Sequence, residues 1–445
     1  MATVESLFRT LAVFAVIVMV LIVTVTVVWI AVVHAVTSRV TRPAVADFDA
    51  AVADAVASLR LDSGSVFRAC GLSRRDAVGR RDGRVVYDFV DPRVLSIRPS
   101  PFGASVTVAP WPGLATCDFE RQRDALSHAL GVAVTVRSPS AGTVVLDLRV
   151  VDPLATPKSL DHVPFWDGRW TLPIGVDEAG ASVSLSLTNV SGVVVGGVPG
   201  AGKSAWLIES IASLATSHAV VLLTIDGKGG ADLAPLERRA AVVLGDDLEA
   251  VRDLLREVEA VRNWRVKRLP SWHGTSNLWD VGPSRDWPII LVVIDECQSF
   301  LDPRAAVSRD DKSVVVEVTS LVSSLIRRGR SAGIVTILAT QKPTADSIPT
   351  GIRDNCSRRV AFGVSTRDAA TAVLGDGWAE ADVRSPLNLP VGVCVHSDGA
   401  GGLGVARAPY VPPGIVADHC REIADQARSW SDIHSEATSF EEDQK

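Results

Sequence analysis

Between Arg9 and Arg39 the chain carries no Asp, Glu, Lys or Arg, and residues 10–36 are dominated by Val, Ile, Leu and Ala. At about 1.5 Å per residue this run reaches roughly 40 Å, which predicts one transmembrane helix over 10–36. It is too long for the apolar core of a cleavable signal, and it continues through Trp29 and His34. Arg39 and Arg42 follow the run while only Arg9 precedes it, so the positive-inside rule predicts a single-pass protein of the cell membrane with its remainder in the cytoplasm. Residues 44–64 are Ala-rich and read as a helical stalk or linker. From 65 to 160, short alternating runs (84–87, 105–108, 132–136 and 143–150) surround a helical stretch at 118–130, the pattern of a small α+β domain. From about 165 to 411, buried-strand runs alternate with helical segments, which predicts a doubly wound α/β domain. Those runs are 192–196, 219–225, 288–294, 333–340, 359–364 and 390–396. Residues 412–445 read as an acidic C-terminal tail with a short helix.

Composition changes this picture little. A length of 445 residues predicts two to three domains. The apolar fraction of 47% and charged fraction of 22% exclude a disordered or fibrous chain. Six cysteines show no CxxC spacing, so neither a metal knuckle nor a disulfide framework is expected, and a reducing setting is favoured. The net charge of −6 supplies no global basic field, so any nucleic-acid contact must be local. The arginines at 74, 75, 80, 81 and 84 are interleaved with Asp and read as a solvated segment.

The chemistry is concentrated in the α/β domain. Gly197-Val198-Pro199-Gly200-Ala201-Gly202-Lys203-Ser204 matches GxxxxGK[ST], with a Val-rich strand before it and a helical run after it. Its glycines let backbone N–H groups turn toward phosphate oxygens, and the helix N-terminus adds its dipole. Lys203 is placed for the β/γ-phosphates of ATP and the Ser204 hydroxyl for Mg²⁺. A second apolar run ends in Asp295-Glu296, which assigns Asp295 to Mg²⁺ and Glu296 to orienting and deprotonating the attacking water. Gln341 follows the 333–340 run and is positioned to sense the γ-phosphate. A strand ending in Asp226-Gly-Lys228 is expected between the P-loop strand and the Asp295 strand, which suits a RecA-like ATPase. No NKxD motif stands in the place a GTPase requires.

These blocks resemble the FtsK/SpoIIIE DNA-translocase family. The resemblance rests on Val195–Ser204, Asp226-Gly-Lys228, 292–296, the segment from Arg330 through Gln341 to Pro343, and 352–364; it extends over roughly residues 85–400. It implies a RecA-like P-loop ATPase domain preceded by a small α+β domain, and a homo-hexameric ring that threads double-stranded DNA and hydrolyses ATP at subunit interfaces. The Val-Pro-Gly-Ala-Gly-Lys-Ser form of the loop looks more like the plasmid-transfer translocases of actinobacteria. One span, no long linker and too few residues after Pro413 for a winged helix also fit a conjugative or mobile-element motor better than chromosome segregation.

A ring ATPase often completes its site with a neighbour's arginine. Arg328, Arg330, Arg358 and Arg359 are candidates, with Arg330 and the Arg358–Arg359 pair best matched in position. For DNA phosphates two segments qualify: Arg262, Arg265, Lys267 and Arg268, which lie among Trp264, Trp272, Trp279 and Trp287, and the pair Arg304 and Arg309. The tryptophans themselves read as packing for an interface or a sheet edge. Two other functions remain open at this level: a protein-export ATPase of the type VII secretion kind, and a nucleotide-gated membrane scaffold. The intact Lys203, Asp295 and Glu296 argue against the scaffold.

Overall fold

The computed structural model describes residues 45–442, apart from short breaks at 82–83, 101–102, 141, 150–151, 230–231, 305, 307, 345, 382 and 398–400. The expected membrane span at 10–36 lies outside the described residues. Among those described, no helix is long and apolar enough to cross a membrane. The chain forms two compact units that divide between residues 150 and 151.

In the first unit, helix α1 (Val45–Ala69) kinks at Asp62. Residues expected as a stalk instead bury Val52, Ala55 and Leu59 in the unit's own core, because that spacing puts all three on one helix face. Strands β1 (Arg74–Arg81) and β2 (Arg84–Val90) form a hairpin. The arginine-rich segment is a strand with Arg74 and Arg75 exposed, in keeping with a solvated segment, and the Arg75 guanidinium lies 4.2 Å over the Tyr87 ring. Strands β3 (Arg93–Ser100), β4 (Gly103–Ala109), β5 (Ala133–Ser140) and β6 (Thr143–Arg149) make an antiparallel sheet ordered β3-β4-β6-β5. The helical stretch breaks at Gln122 into α2 (Thr116–Arg121) and α3 (Arg123–Leu130).

The second unit is built on a ten-stranded sheet. Its strands are β7 (Thr171–Asp177), β8 (Ser182–Ser186), β9 (Gly192–Gly196), β10 (Val220–Asp226), β11 (Val242–Leu244), β12 (Ile289–Asp295), β13 (Ile334–Thr340), β14 (Arg358–Phe362), β15 (Val393–Ser397) and β16 (Leu403–Arg407). Their order is β11-β10-β12-β13-β9-β14-β15-β16-β7-β8. The first six run parallel and the last four are antiparallel additions. The continuous apolar runs follow from burial on both faces. In β12, Ile290, Val292 and Ile294 enter one core while Ile289, Leu291 and Val293 enter the other. The strand between β9 and β12 is β13, not β10 as the chain order suggested; β10 lies on the far side of β12. The RecA-like arrangement, with a strand between the loop strand and the carboxylate strand, is preserved by a different strand.

Helices cover both faces. On one side lie α4 (Lys203–Ala215) and α11 (Pro413–Glu422). The other side is packed by α5 (Leu248–His273), α8 (Arg309–Arg328), α10 (Arg367–Leu374) and α12 (Trp430–Glu442). Short helices α6 (Leu278–Val281), α7 (Gln298–Leu301) and α9 (Thr350–Arg353) occupy connections. Residues 412–445, expected as a tail, thus supply two packed helices. Val416 and Cys420 are fully buried, and the Trp430 indole N–H donates to Glu257 of α5 at 2.7 Å.

One buried group carries a pH signature. Glu209 sits on α4 with no exposed surface, and the Val411 N–H offsets only a little of the cost of its burial. Burial pushes its carboxyl from 4.5 up to about 8. Between those values the folded chain holds a proton that the unfolded chain has lost, so this group's contribution to stability falls as pH rises from 4.5 to 8. Glu209→Gln is expected to raise the melting temperature at pH 8, leave it nearly unchanged at pH 4.5, and flatten the slope between. Thermal unfolding of both proteins across that range checks this.

Candidate active site

The P-loop, residues 197–204, leaves β9 at the carboxyl edge of the parallel strands and enters α4. Gly200 and Gly202 take φ of +79° and +102°, a region that costs side-chain-bearing residues energy. At Gly202 a Cβ would also lie 3.0 Å from the Gly392 backbone nitrogen. Gly202 caps α4, so the first N–H groups of a 13-residue helix open onto the loop.

Parallel register brings the second half of the site to the same edge. Asp295 ends β12 and Thr340 ends β13, which lies beside the P-loop strand. Lys203 is buried and donates a hydrogen bond to Asp295 Oδ1, and its Nζ lies 3.9 Å from Glu296 Oε1. Glu296 adopts φ of +50°, a strained value for a residue with a side chain. Its conformation is held from several sides. Its own N–H donates to Asp295 Oδ1 at 2.9 Å, and its Oε2 accepts from Gln298 Nε2 at 2.6 Å and from the Gln341 N–H at 3.3 Å. Gln298 is itself fixed by the Thr340 hydroxyl at 2.7 Å.

The loop after β10 supplies residues to which the sequence assigned no role. Lys228 Nζ lies 3.1 Å from Glu296 Oε1 as an ion pair. The Ser204 hydroxyl donates to Asp232 Oδ2 at 3.3 Å. Asp226 is buried and shapes this loop by accepting from the Lys228 N–H at 2.9 Å and the Asp232 N–H at 3.2 Å. The signal in the sequence was Asp226-Gly-Lys228 at the end of an apolar run. Asp232 and Gln298 had none.

The electrostatics divide the two adjacent carboxyls. Burial pushes Asp295 above the usual carboxylate range, and the Lys203 charge offsets only part of this. Burial also acts on Glu296, but the Gln298 hydrogen bond, the charge of Lys203, the Lys228 contact and the Gln341 N–H together hold it below its ordinary value. Glu296 is therefore ionised at neutral pH, as a general base must be.

Oxygen donors fit a hard divalent cation here. Carboxylate oxygens of Asp232, Asp295 and Glu296 come within 4.8 Å of one another, and the buried Asp295 Oδ2 has no hydrogen-bond partner. Ser204 and Asp295, the expected ligands, both face this space, and Asp232 adds a third oxygen donor.

The arginines lie elsewhere. Arg330 is exposed four residues before β13, at the opposite end of the sheet, and its carbonyl accepts from the Trp279 indole at 2.7 Å. A strand of seven residues spans about 20 Å, beyond any side chain's reach to the chain's own P-loop. Arg358 and Arg359 open β14 at that same end. Arg358 Nε donates to the Ser186 carbonyl at 2.9 Å, and Arg359 Nη2 donates to the Arg353 carbonyl at 3.1 Å. Arg328 pairs with Glu259 at 3.0 Å. Two residues proposed for DNA phosphates are interior. Arg265 is buried, donating to the carbonyls of Pro288 and Ala332, and Arg262 is paired with Glu259. Trp264 stacks on Trp287 at 5.2 Å and packs the core beneath the sheet. Lys267, Arg304 and Arg309 are exposed, and Arg304 is paired with Asp302 and Asp346.

Known proteins match this geometry. Residues 158–280 match the model of the FtsK/SpoIIIE family, and residues 32–151 match that of an actinomycete conjugal transfer protein N-terminal domain. Over residues 158–280 the chain resembles the FtsK/SpoIIIE family. It is similar to transfer protein TraSA of Streptomyces ambofaciens, 28% identical over 388 residues that cover 81% of this chain and 90% of that protein. It is also 27% identical over 269 residues to DNA translocase FtsK of Corynebacterium efficiens, covering 56% of this chain but only 26% of that longer protein. Among solved structures, the pCW3 conjugation coupling protein TcpA, in a monomer form with ATPγS, shares the fold. Its TM-score is 0.51 at 18% identity, with 74% of this chain and 93% of that chain covered. The family is one of P-loop ATPases.

Lys203→Ala is expected to abolish turnover. Glu296→Gln should retain ATP binding and lower kcat by roughly 10²–10³-fold, the share usually carried by a general base. Near-normal turnover by Glu296→Gln removes the base assignment. Because Lys228 orients that base, Lys228→Ala is expected to lower kcat about tenfold, with less effect on KM. Steady-state kinetics on each purified variant provides the check.

Proposed function

We propose that this chain is a membrane-anchored, ATP-driven motor for double-stranded DNA that acts in conjugal transfer as a homo-hexameric ring. The observation that carries the reading is the buried Lys203–Asp295–Glu296 cluster at the carboxyl edge of the sheet, the chain's own share of an ATP-hydrolysing site, in a chain aligned over most of its length with a conjugal transfer protein. The apolar run at 10–36 supports the anchor and the cytoplasmic placement of the ATPase.

The residues divide the chemistry among themselves. P-loop N–H groups and Lys203 take the β/γ-phosphates, and Lys203 exchanges its bond to Asp295 for one to phosphate. Ser204 and Asp295 would hold Mg²⁺, which would neutralise charge on the phosphates. Glu296 takes the proton of the attacking water, and Gln341, whose N–H already touches Glu296, reports on the phosphate beside it. Charge developing on the transferred phosphoryl group still lacks an arginine. Arg330 and the Arg358–Arg359 pair stand at the opposite end of the sheet, which suits donation to a neighbouring subunit's site.

Turnover by the purified full chain is expected to rise at least tenfold on long linear duplex DNA. The stimulation should fall steeply with salt, because phosphate contacts release counterions. Lys203-dependent turnover indifferent to DNA overturns the DNA motor and moves the reading to protein export. Turnover that survives Lys203→Ala overturns the ATPase assignment itself.

A further inference from the structure

The hairpin of the first unit is a sheet of its own. Strands β1 and β2 pair only with each other, and a two-stranded ribbon is marginal in water without a surface to cover it. Its two faces differ. Alternation puts Val85, Tyr87 and Phe89 of β2 on one face, where the register sets Arg75 opposite Phe89 and Ala77 opposite Tyr87. Asp76 and Asp88 stand opposite each other on the other face, and Arg74 pairs with Asp76 at 2.7 Å. These two carboxylates are thus sorted away from the apolar face.

The apolar face is open. Val78, at a bulge in β1, and Val85, Tyr87 and Phe89 are each 41–62% exposed. Two guanidinium groups lie over its rings, Arg75 at 4.2 Å from the Tyr87 centroid and Arg68 of α1 at 4.9 Å from that of Phe89. Arg68 is paired with Asp91 at 2.5 Å, whereas Arg75 makes no salt bridge among the described residues. Arg80, Arg81 and Arg84 belong to the same two strands. Over residues 74–90 five arginines meet three aspartates, so the ribbon carries +2 in a chain of −6. Exposed aromatic and aliphatic groups beside unneutralised arginine mark a surface built for an apolar and anionic partner.

We propose that this face is a membrane-surface contact, in which Val85, Tyr87 and Phe89 enter the headgroup layer of an anionic bilayer and Arg75 bonds lipid phosphate. The inference rests on the reading of residues 10–36 as an anchor and adds a second contact to it. Chain length points to the occupant. Only residues 37–44 separate the expected span from α1, at most about 30 Å of chain, so the first unit is held near the bilayer. Chemistry chooses among surfaces. DNA phosphates would pair with Arg75 but leave the valines and Phe89 in water. A headgroup layer takes aromatic and aliphatic groups at its inner boundary and guanidinium groups at its phosphates.

The full chain, reconstituted in vesicles of phosphatidylcholine with or without phosphatidylglycerol, provides the test. Cys117 is the one exposed cysteine among the described residues. On a Cys117→Ser background, Val85→Cys places an environment-sensitive fluorophore on the apolar face and Asp88→Cys places it on the other. Each labelled chain should melt as wild type does. With phosphatidylglycerol present, the label at 85 is expected to shift to the blue and to be quenched by spin-labelled lipid, while the label at 88 stays in water. Arg75→Gln should lessen the shift, as should about 1 M salt, where the screening length falls to about 3 Å. An equal shift in both kinds of vesicle, as burial against another protein chain gives, overturns the proposal, and so does a shift that needs duplex DNA. A chain released by alkaline carbonate overturns the anchor and this inference with it. A chain that stays while position 85 reads as water overturns the hairpin contact alone.

Discussion

Lys203 inside the P-loop is the contact on which the site depends. Its ammonium is almost fully buried against two carboxyls that are buried as well. Removing three charges from water is costly, and the arrangement persists only because the partners lie within reach and the backbone supplies further hydrogen bonds. Asp295 is bonded to Lys203 and to the Glu296 N–H, and Glu296 is bonded to Gln298 and Gln341. The cluster is therefore a matched set, in which removing the lysine leaves two buried carboxyls facing each other. Its surplus of negative charge also explains why a cation and a polyphosphate belong there together: either alone would unbalance the set.

Sheet order makes this cluster possible. Asp295 and Lys203 are 92 residues apart in the chain. They meet because β12 and β9 are separated by one strand and end at one edge, and β13 between them delivers Gln341 to the same place. The left-handed turn at Glu296 then swings its carboxylate back over the strand ends instead of letting it follow α7. Strain at this residue is balanced by hydrogen bonds from three directions, which is the physical content of a preorganised base.

Much of this was legible in the sequence. Strands buried on both faces read as continuous apolar runs, and the runs that became β9, β10, β12 and β13 fall within a residue or two of their observed bounds. The P-loop and Asp295-Glu296 are local patterns and read directly. What stayed hidden depends on contacts distant in the chain. Strand order put β13 where β10 was expected, because chain order does not specify sheet order. Asp232 and Gln298 reach the site through loop geometry. Arg265 looked like a phosphate contact because charge in a sequence reads as surface, whereas its guanidinium bonds two carbonyls in the interior. The terminal helix α12 looked like a tail because its four acidic residues are as many as its apolar ones, although Trp430, Ile433 and Ala437 at three- and four-residue spacing form a buried stripe.

The two ends of the parallel sheet carry different chemistry, and this bears on assembly. The residues proposed to bind the nucleotide and activate water gather at the carboxyl edge, where Lys203, Asp295 and Glu296 are buried and lie against one another. At the amino edge, Arg330 stands exposed, and the Arg358–Arg359 pair donates to backbone carbonyls there. Neither guanidinium makes a described salt bridge, although Asp354 and Asp376 act on Arg359 from nearby. In the proposed ring, bringing that edge of one subunit against the carboxyl edge of the next would place these arginines beside a site with surplus negative charge. Head-to-tail contacts of this kind close into rings when the rotation between subunits divides the circle evenly. The charge asymmetry across a single sheet is thus compatible with the proposed ring, in which nucleotide binding at an interface would depend on the fit between neighbouring subunits.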